Sequence, residues 1–293
     1  MSKSEIDAIR EMLRARARPV GWAERRERLD AIGQASPVEP DIKLAAVEAG
    51  GVPAEWSLAP GSDPTKVLMF LHGGGYCSGS ITSHRGMVTR VGRAAGVRTL
   101  ALNYGLAPEH PFPSALTDAL AAYGFLLDQG IAPGKIAIGG DSAGGGLTLA
   151  TMLSLRDAGK PLPGCAWLVS PWTDLEMTGA SLAYKADVDP LIQKVYLEEL
   201  ASAYLAGADA RAPLVSPLHA DLTGLPPILV QVRSAETLLD DALRIVRCAG
   251  AADVSVSLEV WPHMIHAWHL WAAELEDARR AIASAGAFIR ARL

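Results

Sequence analysis

Cysteine is scarce in this sequence, with Cys77, Cys165 and Cys248 the only three among 293 residues. Their wide spacing and odd number argue against a disulfide framework and a cysteine-rich metal site, and they suit a reducing compartment. Apolar runs stay below the roughly 18 residues that a membrane-spanning helix needs. The N-terminal stretch mixes both charges and lacks the apolar core of a secretory signal. These absences predict a cytoplasmic protein with no membrane span.

Blocks of basic residues are also missing, and the formal net charge is −5. That balance gives no reason to expect nucleic acid as a partner. The sequence has no internal repeat and no low-complexity tract. Its length and its 49% content of hydrophobic residues nevertheless allow a large core, in one large α/β domain or two small ones.

What the sequence does contain is an alternation of short apolar runs with longer helical patterns. Residues 1–33 have the pattern of two amphipathic helices, and residues 41–60 that of two strands joined by a Gly-Gly turn. Further strands are predicted at 67–72, 97–104, 135–140, 165–170, 227–232 and 254–261, and helices at 113–129, 143–158 and 237–250. This alternation predicts an α/β fold, with a mostly parallel twisted sheet and helices on both faces.

One interval breaks this alternation. More than 50 residues separate the strand runs at 165–170 and 227–232, with a helical section near 189–206 and proline-rich flanks. An insertion of this size in a compact α/β domain is often a cover over the active site.

The stretch KIAIGGDSAGGGLTLA, at 135–150, places a serine between a predicted strand and a predicted helix. Its GDSAG segment, at 140–144, fits the G-x-S-x-G pattern of a nucleophile on a sharp, strained turn. Small neighbours let backbone segments pass closely there, so Ser142 Oγ would project above the sheet. A nucleotide-binding loop is disfavoured because the P-loop lysine and a G-x-G-x-x-G spacing are missing. The alternative is a glycine-rich turn with an incidental serine.

A second glycine cluster, HGGG at 72–75, directly follows an apolar strand run and lies about 70 residues before Ser142. Acyl transfer needs backbone N–H donors aimed at the oxygen on which negative charge develops. Consecutive glycines let a loop present such donors without side chains in the way. The alternative is a flexible surface loop.

Taken in order, these motifs resemble the hormone-sensitive lipase family of α/β-hydrolases, the bacterial family IV esterases. The motifs are HGGG at 72–75, NYGLAPEHPFP at 103–113, GDSAGGG at 140–146 and SPWTD at 170–174, followed by the segment around His266. The resemblance covers roughly residues 40–293. It implies the α/β-hydrolase fold with a helical cap, and an esterase that needs no metal and no cofactor.

The resemblance also implies an oxyanion hole formed by the backbone N–H groups of Gly74, Gly75 and Ala143, with Gly73 as a further candidate. The sequence departs from the family at Gly105, where an arginine is usual. We expect a changed local salt bridge at that position, with activity retained.

The same resemblance divides the chain into three parts. Residues 1–40 would form N-terminal cap helices, residues 41–173 and 216–293 the catalytic domain, and residues 174–215 a cap insertion. Within the cap, four aromatic residues would either line the pocket or pack against each other: Trp22, Tyr184, Tyr196 and Tyr204.

A serine nucleophile needs a general base, which in the α/β-hydrolase chain order follows the last strand. His263, His266 and His269 all lie there, in WPHMIHAWHLW at 261–271. The family's pattern of histidine, small residue and aromatic selects His266, and the other two are expected to be structural. A metal site is a weaker alternative, since this spacing spreads the rings around a helix and no HExxH motif is present.

The acid must accept a hydrogen bond from the histidine and fix its tautomer. In the family it usually begins a D-P-L-x-D segment after the penultimate strand, where this chain has ETLLD at 236–240. The resemblance therefore implies Glu236, since known triads use either acid. Asp240, Asp174 and Asp241 stay as alternatives. A structural alternative is that Glu236 only stabilises the first turn of the following helix.

The combined prediction is a serine carboxylesterase that hydrolyses short- to medium-chain esters through Ser142, His266 and Glu236. The same machinery would serve an ε-lactone hydrolase of the monoterpene type. A non-catalytic small-ligand receptor is a remote alternative, because plant relatives of that kind have lost the histidine that this chain keeps.

The expected partner is therefore a small-molecule ester or lactone. A second copy of the chain is a further candidate partner, because residues 254–260 alternate apolar and polar side chains as a sheet edge does. Two molecules could form a homodimer through this last strand. The alternative is an ordinary covered edge.

Overall fold

Eight strands form one sheet in residues 3–293, the part of the chain that this computed structural model describes. They are β1 Lys43–Ala49, β2 Val52–Leu58, β3 Asp63–Leu71, β4 Val97–Leu102, β5 Ile136–Asp141, β6 Cys165–Val169, β7 Ile228–Arg233 and β8 Val256–Trp261. Their order across the sheet is β1-β2-β4-β3-β5-β6-β7-β8. The β1–β2 and β2–β4 pairs are antiparallel and the other five pairs are parallel. The predicted mostly parallel sheet is confirmed.

Helices cover both faces of this sheet. They are α1 Lys3–Ala15, α2 Trp22–Gln34, α3 Ile81–Ala95, α4 Ser114–Asp128, α5 Ala143–Asp157, α6 Ser181–Tyr184, α7 Lys194–Leu205, α8 Leu239–Ala251 and α9 Glu276–Arg290. Side chains alternate along a strand, so β3 sends Met69 into a core with α4, α5 and α8, and Phe70 into a core with α3 and α9. The predicted two-faced architecture is confirmed.

Local signals explain the helix α3, which lies outside the individually predicted helices. The Ser80 side chain accepts a hydrogen bond from the Ser83 N–H, and the Ser83 side chain accepts one from the Ser80 N–H, which forms a capping box. The helix ends at Gly96, whose φ of 71° is the left-handed conformation that glycine adopts without strain.

The carboxyl ends of parallel strands meet at one edge of the sheet, and this edge assembles the predicted site. The HGGG loop follows β3, the GDSAG turn follows β5, ETLLD follows β7 and the segment around His266 follows β8. Open α/β sheets bind ligands in the crevice outside these carboxyl ends. The topology therefore directs four distant segments to one place.

The N-terminal helices and the insertion after β6 touch each other. The insertion contains α6 and α7, and Arg25 of α2 forms an ion pair with Glu199 of α7. Tyr204, also on α7, stacks on Tyr76 of the glycine loop with ring centroids 3.7 Å apart. Across residues 3–293, no helix is both long and apolar enough to cross a membrane.

Candidate active site

Ser142 lies on the strained turn that its motif predicts. Its backbone has φ 53° and ψ −120°, between the last residue of β5 and the first of α5. A Cβ on Gly140 would lie 2.3 Å from the carbonyl oxygen of Gly144, and one on Gly144 only 1.9 Å from that of Leu71. Glycine is therefore required at both positions, because the backbones of β3, β5 and α5 pass too closely for any side chain.

The glycine loop after β3 leaves two N–H groups unpaired. Gly74 and Gly75 have φ of 112° and 64°, and neither N–H donates to any residue that the structure describes. The N–H of Ala143, next to Ser142, is likewise unpaired within residues 3–293. The N–H of Gly73 instead donates to Asp141 Oδ1 at 2.8 Å. Within the described chain, the N–H groups of Gly74, Gly75 and Ala143 are therefore available to an acceptor at this edge of the sheet, whereas the N–H of Gly73 is not.

Asp141 anchors the glycine loop beside the serine. Its Oδ1 lies 3.1 Å from Nε2 of the buried His84 on α3. Burial alone would raise the pKa of Asp141, but the nearby charge of His84 holds that pKa below its usual range. His84 could not be predicted from the sequence, because no motif connects a histidine in α3 with an acid that follows it by 57 positions. Only the folded arrangement reveals the pair.

His72 supports the other side of the loop. Its ring stacks on Tyr104 at 4.2 Å between centroids, and the Tyr104 hydroxyl donates to the His72 carbonyl oxygen at 2.6 Å. Burial lowers the pKa of His72 to about 3, so the ring is neutral near pH 7. Its Nδ1 lies 2.8 Å from the Gly73 carbonyl oxygen and, in the neutral ring, can donate to it. The loop that carries the free N–H groups is thus held rigidly.

The structure brings His266 and Glu236 together. Nδ1 of His266 lies 3.5 Å from Oε1 of Glu236, which is completely buried. This Oε1 has no hydrogen-bond partner in the described chain, and neither ring nitrogen of His266 has one. The other carboxylate oxygen, Oε2, accepts hydrogen bonds from Ser170 Oγ at 2.7 Å and from Arg233 Nε at 3.0 Å. One carboxylate oxygen is therefore fixed by the protein, and the other faces the imidazole.

The other candidate acids are engaged elsewhere. Asp240 accepts hydrogen bonds from the Ser181 N–H at 2.9 Å and the Tyr184 hydroxyl at 3.1 Å. Asp174 pairs with Arg244 at 2.9 Å. The third, Asp241, is completely enclosed and accepts hydrogen bonds from the backbone N–H groups of residues 173 and 174, and burial raises its pKa to about 7. These three acids therefore interact with groups in or beside the segment after β6, and not with the imidazole of His266.

The two neighbouring histidines differ in their surroundings. His269 is completely buried and its Nε2 lies 2.9 Å from Gln231 Oε1, while burial lowers its pKa to about 3. This is the structural role expected of it. His263 is exposed, with a φ of 63° in the turn after β8.

Arg233 is a further residue whose role the sequence did not predict. Besides Glu236, its guanidinium donates to Asp189 of the insertion and, through Nη1, to the Met264 carbonyl oxygen at 3.1 Å. Burial would raise the pKa of Asp189, but the Arg233 charge keeps that pKa below its usual range. One completely buried arginine therefore links the acid, the histidine segment and the insertion. A single arginine at the end of an apolar strand gives no signal of this in the sequence.

A cavity of about 720 Å³ opens above these groups. Ser142, His266, Gly74 and Gly75 line it, together with side chains from α1, α2 and α7, whereas Glu236 and Ala143 do not. Of the four aromatic residues predicted for the cap, only Tyr196 lines it. Trp22 packs on Arg25, Tyr184 is exposed and Tyr204 is buried against Tyr76.

A cluster of potential metal ligands lies outside this cavity. In the described part of the chain, Asp174, Glu176 and His219 have ligand atoms within 4.8 Å of one another. Arg244 already contacts Asp174 at 2.9 Å, and Arg211 lies 3.5 Å from Glu176. The positive charge that these acids need comes from arginines, so the cluster gives no independent support for an ion.

Gly105, where the resemblance implies an unusual glycine, lies beside Asp118. The N–H of Gly105 donates to Asp118 Oδ2 at 2.7 Å, and Asp118 forms no ion pair with any residue in 3–293. A cavity of about 510 Å³ lies beside Gly105, Asp118 and His110.

Comparison with known proteins identifies what this arrangement is similar to. A family model described as alpha/beta hydrolase fold matches residues 68–270. An acetyl-hydrolase from Streptomyces hygroscopicus is 48% identical over 244 residues, 83% of this chain and 81% of the relative. An esterase from Acinetobacter venetianus is 35% identical over 261 residues, 89% of this chain and 86% of the relative. A crystal structure of an esterase from the bacterial hormone-sensitive lipase family superposes with a TM-score of 0.97 at 44% identity, covering 100% of this chain and 99% of the other.

Proposed function

Since the chain belongs to the bacterial hormone-sensitive lipase family of the α/β-hydrolase fold and is an ester hydrolase, we propose that it is a serine carboxylesterase for short- to medium-chain esters. The observation that carries this proposal is the single cavity lined by Ser142, His266 and the free N–H groups of the glycine loop. No metal or cofactor enters the proposed chemistry.

The proposed reaction starts with attack of Ser142 Oγ on the ester carbonyl carbon while His266 Nε2 takes the hydroxyl proton. The N–H groups of Gly74, Gly75 and Ala143 stabilise the oxyanion of the tetrahedral intermediate. His266 then gives the proton to the leaving alcohol, and an acyl-enzyme on Ser142 forms. Water attacks that ester by the same route, which releases the acid and restores the hydroxyl.

Glu236 is the acid in this proposal. The distance of 3.5 Å to His266 Nδ1 and the missing partner of Oε1 both support it over Asp240, which has other hydrogen-bond donors. Hydrogen bonding to Glu236 would hold the proton on Nδ1, so that Nε2 is free to act as the base. The negative charge would then stabilise the imidazolium that forms.

The segments 1–40 and 174–215 are proposed to form a cap over the cavity. The Arg25–Glu199 ion pair, which joins α2 to α7, supports a cap built from both segments. A cavity of about 720 Å³ is in the range that encloses a small ligand, which favours short and medium acyl chains over long ones. The names of the relatives make acetyl esters the first substrates to try.

A series of 4-nitrophenyl esters from acetyl to dodecanoyl, with an ε-lactone added, tests the proposal. We expect kcat/KM to peak below about ten acyl carbons, because longer chains exceed the cavity. The Ser142→Ala variant should lose several orders of magnitude in kcat, as removal of a nucleophile does. Ser255→Ala, which changes an exposed serine outside the cavity, is the matched control and should keep full activity. Near-normal hydrolysis by Ser142→Ala would refute the proposed nucleophile.

A further inference from the structure

Arg25 is buried beside the cavity with much of its hydrogen-bonding capacity unused. It is 7% exposed, and its guanidinium carbon lies 4.7 Å from the ring centroid of Trp22 and 4.9 Å from that of Tyr196. Nη2 donates to Glu199. Nε and Nη1 are buried and have no hydrogen-bond partner within residues 3–293. Those two nitrogens carry three of the five N–H groups of a guanidinium.

Burying a charged group whose N–H donors are unpaired costs free energy, so a hydrogen-bond acceptor is expected for them. The ion pair with Glu199 accounts for Nη2 alone, and the aromatic rings cover only the faces of the guanidinium. Arg25 lines the same cavity as Ser142 and His266. An acceptor group on a molecule bound in that cavity would pair the remaining donors if binding turned these enclosed nitrogens toward it.

Further arginines surround the cavity mouth. Arg14, Arg16 and Arg18 line it, are exposed, and form no ion pair with any described residue. Residues 1–34 contain eight basic and six acidic side chains, although the whole chain has a net charge of −5. This N-terminal stretch therefore carries a net positive charge, and five of its arginines line the cavity.

The acids that line the cavity do not neutralise this charge. Asp141 faces His84, and Asp189 pairs with Arg233, so both have their own buried partners. The remaining acid, Glu199, is half exposed and occupies one nitrogen of Arg25. The entrance keeps an excess of positive charge.

We infer that the cavity selects esters that carry an anionic group, a carboxylate or a group of similar charge, at a distance from the bond that is cleaved. This inference rests on the proposed function and adds the substrate class. Arg25 is the binding residue, since a charge-assisted hydrogen bond to a buried guanidinium is strong and specific. Arg14, Arg16 and Arg18 attract the anion to the entrance.

Two matched pairs of esters test this inference, one for each end of the substrate. In the first pair the acyl group carries the charge: 4-nitrophenyl hydrogen adipate is compared with its methyl ester, which is neutral and of similar length. In the second pair the alcohol carries it: 4-(butanoyloxy)benzoate is compared with its methyl ester. We expect at least one anionic member to have a kcat/KM about tenfold or more above its neutral match at low salt. That preference should shrink in roughly 1 M salt, where exposed charges are screened.

Three variants assign the preference to Arg25. Arg25→Gln should bring the anionic-to-neutral ratio close to one, and Glu199→Gln should raise it by freeing the third nitrogen. Glu199 is half exposed, so its substitution leaves the core intact even where Arg25→Gln lowers stability. Arg247→Gln, an exposed arginine on α8 outside the cavity, is the control and should leave the ratio unchanged.

The outcomes separate this inference from the proposed function. Cleavage of the neutral esters with a wild-type ratio of one or less in both pairs would overturn the inference alone. The inference alone is also overturned if Arg25→Gln lowers kcat/KM for the anionic and the neutral ester by the same factor. That result is expected if Arg25 has a purely structural role. Failure to cleave any of the four esters would overturn the proposed function and the inference together.

Discussion

Around Ser142 the backbone leaves no room for a Cβ on Gly140 or Gly144, whereas around Arg25 the helices leave three N–H donors unpaired beside a cavity of about 720 Å³. The first region, here named the floor, consists of the glycine loop after β3, the turn after β5 and the buried groups beneath them. The second, the rim, consists of the cavity-lining parts of α1, α2 and α7.

The two regions divide the work of an enzyme between them. In the floor, hydrogen bonds from Gly73 to Asp141 and from Tyr104 to the His72 carbonyl fix the loop before any substrate arrives. Donors fixed in advance stabilise a developing charge without reorganisation at the moment of reaction. The rim is more exposed and carries single charged side chains. Changes in the floor should therefore affect every substrate alike, and changes in the rim should affect some substrates more than others.

After loss of the nucleophile itself, the largest effect is expected from Glu236, the acid that faces the imidazole of His266. Glu236→Gln should lower kcat by roughly 10⁴-fold, because an amide in place of the carboxylate favours the wrong histidine tautomer. Steady-state kinetics on a neutral and an anionic ester should show equal losses.

Asp240→Asn is the matched control for this change. Its carboxylate accepts hydrogen bonds from Ser181 and Tyr184 and does not contact His266, so activity should stay within about tenfold of the original. A greater loss in Asp240→Asn than in Glu236→Gln would exchange the two assignments.

The next effect concerns Arg233, where the floor meets the insertion. Arg233→Met would leave the carboxylates of Glu236 and Asp189 buried without their cation, which should cost about 3–5 kcal/mol of unfolding free energy. Urea unfolding measures this change. Arg244→Met removes the partner of Asp174, but that arginine is about one-third exposed and the cost should be smaller. Equal losses in the two variants would contradict the central position assigned to Arg233.

A smaller effect is expected at Gly74. A Cβ there would lie 2.2 Å from the Ser78 carbonyl oxygen, and the φ of 112° suits only glycine. Gly74→Ala should displace an oxyanion donor and lower kcat by about 10²- to 10³-fold. Gly61→Ala, at a φ of 77° with open space around it, is the control: it should cost about 1–2 kcal/mol of stability and leave kcat unchanged. An unaltered kcat in Gly74→Ala would remove this loop from the reaction.

The smallest effect is acid sensitivity of the floor. The pKa of His72 is about 3 in the folded chain, lowered by burial and by the charge of His84, against about 6.5 when unfolded. Between these values the unfolded state binds a proton that the folded state does not, so stability falls as the pH falls. His72 should contribute up to about 1.4 kcal/mol per pH unit to this loss. The variant His72→Asn, which can keep a donor to Gly73, should show a shallower dependence in urea unfolding from pH 6 to pH 4; an unchanged slope would contradict a neutral buried His72.

The floor could largely be predicted from sequence because its constraints are local. Glycine spacing predicted the strained turn at Ser142, and continuous apolar runs predicted the strands that carry it. His84, Arg233 and Arg25 escaped prediction, since each acts on groups from distant parts of the chain. A histidine or arginine in a helical pattern has the same appearance whether it faces water or a buried acid. Of these three residues only Arg25 belongs to the rim, so in both regions it is the long-range side-chain pairs that sequence alone does not predict.

One expectation about the surface remains a prediction. β8 lies at the edge of the sheet and Val260 is 45% exposed, as pairing through this strand requires. Gel filtration at two concentrations distinguishes a dimer from a monomer. A Val260→Lys substitution should disrupt a dimer formed through this edge.

The central claim is that Ser142 is a nucleophile activated by His266. Labelling with a fluorophosphonate, followed by peptide mass spectrometry, tests it most directly because the reagent reacts rapidly only with an activated serine. We expect one adduct, at Ser142, and a labelling rate at least about 100-fold lower in His266→Ala. An adduct on another residue, or equal labelling rates with and without the imidazole, would contradict it.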